Sequence, residues 1–211
     1  MTVAAWAFAA LFVGAAGANW WSRFAGARRV ELWSKPLALV ALIGVAVTIE
    51  PADDAVRAWF VVGLVLSLAG DVFLLDGDRW FVAGLGSFLL AHVAYTVGFV
   101  VAPDWLWEAA LVAVVPVAVL GASLGRRIVT EAARSSSVLG PAVIAYLLAI
   151  STMFVAAAAT GAPWAIVGAA LFVASDTVLG WRQFVRESSW MGPTVMITYH
   201  LGQAGLVASL L

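Results

Sequence analysis

Apolar runs of membrane length follow one another along this chain, with short polar breaks between them. A crossing needs about 20 apolar residues, with roughly 17–25 tolerated. On that ruler the pattern predicts eight helices, at 3–21, 35–50, 57–76, 80–101, 105–124, 138–158, 163–181 and 190–210. None of the runs alternates polar and apolar positions as a barrel strand does, and in lipid only helices and closed barrels pair all their backbone groups. Pro36 and Pro141 fall near the predicted starts of the second and sixth helices, where a missing N–H does no harm. Pro116 lies inside the fifth and predicts a kink. Trp20, Trp21, Trp33, Trp59, Trp80, Trp105, Trp107, Trp164, Trp181 and Trp190 mark the run ends, as an aromatic belt at the two interfaces requires.

Polar residues interrupt the pattern from within at few places. Gly63 to Leu75 reads G-L-V-L-S-L-A-G-D-V-F-L-L, with Asp71 inside it, and Gly168 to Leu179 reads G-A-A-L-F-V-A-S-D-T-V-L, with Asp176 in the corresponding place. A charged carboxylate within the hydrocarbon costs roughly 2.5–3.5 kcal/mol on insertion scales, so it needs a partner or a task. At 1.5 Å per residue, both lie roughly 8–9 Å in from the same ends of their helices. His92 and Tyr95 share one face of the fourth helix, and Tyr199 and Gln203 one face of the eighth, with His200 adjacent. Tyr146 is about two turns into the sixth helix, and Lys35 borders the second within reach of the same layer. Proline, aspartate and histidine recur in matching order in helices 1–4 and 5–8, which allows a 4+4 parallel repeat.

Composition confirms the class. Of 211 residues, 64% are hydrophobic and 11% charged, where soluble domains carry about 25% charge; the mean hydropathy is +1.03. The fold class is all-α, a polytopic membrane protein with one transmembrane domain over 1–211. Of the eleven basic residues, all but Arg57 fall on one side of the predicted helices. The positive-inside rule makes that side cytoplasmic and puts both termini outside, in the cell (plasma or inner) membrane. No basic cluster is dense enough for nucleic acid, and the lack of cysteine excludes disulfides, thiolate metal sites and a cysteine nucleophile. The A-x-A at 16–18 imitates a cleavage site, but the first segment is long enough to span and is read as a retained helix. Gly121 to Gly125 fits G-x-S-x-G; that motif serves hydrolysis at a strand-to-helix turn, whereas here it closes a membrane helix and fits G-x-x-x-G packing.

Lys35-Pro36, Ser67 to Asp71, Gly84 to Tyr95 with A-H-x-x-Y at 91–95, Tyr146, Gly168 to Asp176 and Thr198 to Gln203 keep their order and spacing over about residues 30–210. In these the chain resembles the lysoplasmalogenase family, also called YhhN-like. The resemblance implies hydrolysis of the vinyl ether bond of a lysoplasmalogen to a fatty aldehyde and a glycerophospho-alcohol (glycerophosphocholine or glycerophosphoethanolamine). It implies a lysophospholipid substrate within membrane lipid, water as co-substrate, and no cofactor or metal. At His200 much of the family is expected to have tyrosine, so the carry-over rests on Tyr199 and Gln203. Acid hydrolysis of a vinyl ether begins with protonation of carbon, leaving an oxocarbenium ion that water captures. Low dielectric favours the neutral form of one carboxylic acid, and a second carboxylate can stay ionised, stabilise the cation and orient the water. Asp71 and Asp176 are the expected catalytic pair, with the assignment of acid and partner open. His92, Tyr95, Tyr146, Tyr199 and Gln203 are expected to position them or the water, and Lys35 to attract the head-group phosphate.

Two other readings fit some of the same residues. A transporter or channel could use the aspartates and histidines as a proton or cation relay, although no matched pair of Gly/Pro-interrupted segments supports it. A metallohydrolase could ligate one divalent ion through His92, His200, Asp71 and Asp176, although their spacings carry no recognised ligand signature.

Overall fold

The computed structural model describes residues 1–103 and 105–211, all with side chains except 77 and 78. Its regular elements are helices: α1 (Val3–Ala25), α2 (Arg28–Thr48), α3 (Asp54–Phe73), α4 (Phe81–Val101), α5 (Trp107–Ser135), α6 (Leu139–Ala159), α7 (Pro163–Phe184) and α8 (Met191–Ala208). A 3₁₀ segment, Leu74–Trp80, joins α3 to α4. Helices α1 to α7 are each long and apolar enough to cross a membrane, and the chain is an integral membrane protein.

Local chemistry sets several boundaries. Thr2 accepts from the Ala5 N–H at 3.0 Å to cap α1, and its hydroxyl donates to the Thr48 carbonyl at 2.7 Å, tying the start of α1 to the end of α2. Gly26, at φ +65°, ends α1 in the left-handed conformation that other residues rarely adopt. Asp53 caps α3 by accepting from the Ala55 and Val56 N–H groups.

Two helices differ from the sequence expectation. Helix α2 starts at Arg28, not 35, so Pro36 lies inside it and not near its start. The segment Arg28–Ser34 is polar enough to escape a hydropathy count yet continues the helix as an interfacial turn, with Ser34 donating to the Val30 carbonyl. Helix α5 runs on to Ser135, and its last turns bury Ile128 and Ala132 against Val143 in a small second core. Five residues beyond Pro116 the helix widens into a π turn, Gly121–Gly125. Such turns recur at functional sites and at bends.

Helix α8 buries more of its residues than any other helix among the described residues. Helix α8 packs along α7 and also reaches α1, α2 and α3, and its Tyr199, His200 and Gln203 are buried in protein rather than facing lipid. Its contact with α7 is made by glycine. A Cβ on Gly168 would come within 2.6 Å of the Leu206 N and 2.9 Å of the Gly202 O, and one on Gly205 within 2.8 Å of the Gly168 Cα. Small residues let the two backbones touch. Gly168→Ala gains roughly 1 kcal/mol of helix propensity, but the methyl meets backbone and not a flexible side chain. The expected outcome is a lower melting temperature in detergent, and a rise would show that the helices can separate freely.

No repeat is detected between the two halves. The residues that match in sequence serve different ends: His92 faces Asp176, whereas His200 accepts a hydrogen bond from Trp20. Asp71 is paired with Lys35, and Asp176 is bonded by Tyr146.

Candidate functional site

A cavity of about 330 Å³ opens at the end of the bundle that carries Arg23, Arg28 and Arg182, and Lys35, Asp71, Asp176 and Tyr199 line its walls. Five helices supply these residues. Lys35 comes from the first third of α2, Asp71 from the last turn of α3, Asp176 from α7 and Tyr199 from α8. Arg23 on α1 completes the rim beside Arg28 and Glu31.

The two aspartates have different surroundings. Asp71 is 1% exposed; its Oδ1 lies 3.1 Å from Lys35 Nζ, and its Oδ2 accepts from the Tyr199 hydroxyl at 2.8 Å. Lys35 is itself buried, so the two side chains partner each other within the protein. The Asp176 side chain is 10% exposed. Its Oδ2 accepts from the Tyr146 hydroxyl and lies 3.7 Å from His92 Nε2, beyond a hydrogen bond. Among the described residues no lysine or arginine is salt-bridged to Asp176, and nothing hydrogen-bonds its Oδ1.

Sequence periodicity placed the remaining residues on the right faces, but not at equal distances from the cavity. The Tyr146 hydroxyl reaches Asp176 from α6. His92 is fully buried, its ring set edge-on to Tyr146 and Phe172 at centroid distances of 5.1 and 4.8 Å. Tyr95 donates to Gln203 Oε1 at 2.7 Å, joining α4 to α8 behind the cavity wall. His200 is a brace. Its Nδ1 accepts from Trp20 Nε1 at 3.0 Å, which locks α8 to α1 and puts the ring proton of the neutral tautomer on Nε2.

Sequence reasoning missed the rim. Arg23 and Arg28 both bind Glu31, at 2.7 and 3.2 Å, and Arg182 binds Glu187 at 2.5 Å. Read in one dimension these are topology-setting loop charges; folded, they surround the cavity mouth with cationic and acidic groups. The available signal was Glu31, an acid among the first-loop arginines at helical spacing from Arg28. Among the described residues no three His, Cys, Asp or Glu side chains come together to hold a metal ion.

Curated lysoplasmalogenases of Mycobacterium bovis and Mycobacterium tuberculosis are each 33% identical to the chain over 171 residues, covering 76% of this chain and 63% of theirs. The chain thus spans about 63% of the length of the curated relatives it matches. No solved structure matches it. The model of the YhhN family matches residues 30–210, a span that contains both aspartates, Lys35 and every tyrosine and histidine of the cavity region. By that match the chain belongs to the YhhN family.

Proposed function

We propose that the protein is a membrane-embedded hydrolase that cleaves the vinyl ether bond of lysoplasmalogens, with Asp176 as the acid and Asp71 as the ionised partner. The observation that carries this reading is the unequal pair of carboxylates on one cavity. Asp71 has a lysine and a tyrosine donor fixed on its two oxygens, which suits a carboxylate that stays charged. Asp176 has a donor on one oxygen and the other free toward the cavity, which suits a group that carries and delivers a proton. The lysoplasmalogenase activity for which the mycobacterial relatives are named supports the substrate class.

In this mechanism Asp176 gives its proton to the alkenyl carbon remote from the ether oxygen, and the double-bond electrons form that C–H bond. The positive charge is shared by the neighbouring carbon and the oxygen, and the Asp71 carboxylate stabilises it. Water adds to the cationic carbon and loses a proton to Asp71, giving a hemiacetal. The hemiacetal hydroxyl returns a proton to Asp176, the C–O bond to glycerol breaks, and the leaving oxygen takes the proton held by Asp71. Both carboxyls end as they began, and the net reaction consumes one water. Tyr199 and Tyr146 hold the two carboxyls in place, and His92 packs behind Asp176. Lys35 is buried against Asp71, whereas Arg23, Arg28 and Arg182, though paired with Glu31 and Glu187, are more exposed at the cavity mouth and are the better sited for the head-group phosphate.

The direct test is incubation of purified protein with a lysoplasmalogen and with its ester analogue. The expected result is aldehyde from the first and no fatty acid from the second. No cleavage, together with proton or cation flux through the reconstituted protein, would favour the relay reading.

We further propose that all eight helices span the cell membrane as one unit, with the arginine-rich rim cytoplasmic and both termini outside, on the side bias of Arg and Lys. A periplasmically active reporter fused at the C-terminus is expected to be active, and fusions after Arg127 or Arg186 silent. The reverse pattern sinks the orientation.

A further inference from the structure

Two apolar grooves lead away from Asp176, apart from the arginine rim. One, of about 50 Å³, runs among Leu85, Val143 and Phe184, with Tyr146 and Gln183 as its polar members besides Asp176. The other, of about 30 Å³, runs along α5 past Val117, Gly121, Gly125 and Val173, with Ser151 and Thr177 as its polar members besides Asp176. Ile128, Leu147 and Asp176 line both, so the grooves are neighbouring sections of one track.

The second section lies against the π turn of α5, the least enclosed of the seven apolar helices. Val115 and Val119 on the same helix are exposed in the bundle and therefore face lipid. At Gly121 a Cβ would meet nothing within 4 Å, so the space beside this helix is open. At Gly125 a Cβ would touch the Leu147 Cδ1 at 3.4 Å, so glycine there keeps α5 and α6 close without closing the track.

We propose that this track seats the hydrocarbon chain of the substrate, which passes from Asp176 between Ile128 and Leu147 and emerges into the bilayer beside the π turn at Gly121. The inference rests on the hydrolase reading for the identity of the chain. Its geometry rests on the continuity of an apolar track with the cavity that holds the carboxylates. A water-sized group needs about 10–15 Å³ of such space, so the two sections take on the order of six methylene-sized groups. The rest of a long chain stays in lipid. Selection therefore acts on the carbons nearest the vinyl ether and on the exit at Gly121. Length beyond the exit does not set it.

The test uses saturated alkyl-ether lysophospholipids, which bind but have no double bond to protonate. A short-chain analogue ends inside the track, and a long-chain one passes Gly121. Gly121→Leu and Val117→Phe each put bulk into the outer section, and Gly14→Leu, on an open face of α1, is the control. Wild-type protein is expected to bind the long analogue more tightly than the short one. The two α5 variants are expected to weaken the long analogue roughly tenfold, about what two lost methylene contacts are worth, while the short analogue and the Gly14→Leu control change less than about twofold on the same scale. The proposal is overturned by equal loss at both lengths, by wild-type affinity for the long analogue in both α5 variants, or by no preference for length in the wild type. If Gly121→Leu does not fold, Val117→Phe decides alone. Failure of the wild type to hydrolyse a lysoplasmalogen removes the catalytic reading, and the affinity series still reports on the track.

Discussion

Asp176→Asn is expected to lower turnover of a lysoplasmalogen by at least about 10²-fold, the lower end of what a general acid contributes, while the protein still folds. The amide keeps the shape of the carboxyl and can accept from the Tyr146 hydroxyl, but it has no proton to give to carbon. The amide replaces a protonated, uncharged acid of the same shape, so stability should hold. Asp71→Asn is expected to fall by a similar factor for a different reason: it removes the negative charge that faces the cation and receives the proton of water. The two groups act in one sequence of transfers, so the double variant should be little worse than the worse single one. Steady-state turnover of folded single and double variants checks this. Near-wild-type hydrolysis by either single variant would reduce that aspartate to a packing role.

Lys35→Met is the second large expected effect, and it is first an effect on stability. The substitution keeps the length of the side chain and deletes its charge, leaving Asp71 buried at 1% exposure with Tyr199 as its remaining hydrogen-bond donor. Removing one member of a buried ion pair costs about 3–5 kcal/mol, which for a chain of this size lowers the melting midpoint on the order of 10 °C. The double variant Lys35→Met with Asp71→Asn should recover most of that loss, because no uncompensated charge remains. Thermal unfolding of the four proteins of this cycle in detergent measures the coupling directly. Equal stability of Lys35→Met and wild type would show that the pair contributes nothing.

Much of the fold was legible because hydrocarbon imposes one rule. A segment that crosses must be apolar for the right length, so counting apolar runs located eight helices before any contact was known. The same rule made Asp71 and Asp176 conspicuous. What the rule does not address was harder to read. The start of α2 lies in an interfacial turn where polar residues are tolerated, so the count began at Lys35 and Pro36 looked like a helix start. Periodicity put Tyr199 and Gln203 on one face of α8, but only the packing of α2 and α3 against that helix decides that Tyr199 meets Asp71 while Gln203 meets Tyr95. Charge in a loop says which side of the membrane it occupies; it does not say that Arg23, Arg28 and Arg182 converge on one opening. The matching order of Pro, Asp and His suggested duplication, yet their partners in space are unlike.

The buried position of α8 bears on how the protein is assembled. Tyr199, His200 and Gln203 make this segment a poor candidate to leave an insertion machinery for lipid by itself, and it follows the other seven in the order of synthesis. Three of its polar side chains find their partners on α1, α3 and α4: Trp20 for His200, Asp71 for Tyr199, Tyr95 for Gln203. Helix α7 touches it through glycine backbone, so the two can enter as a hairpin whose apolar member carries the polar one. That hairpin then docks into a slot formed by the earlier helices, and Asp71 on α3 and Asp176 on α7 come to line one cavity only once it has docked.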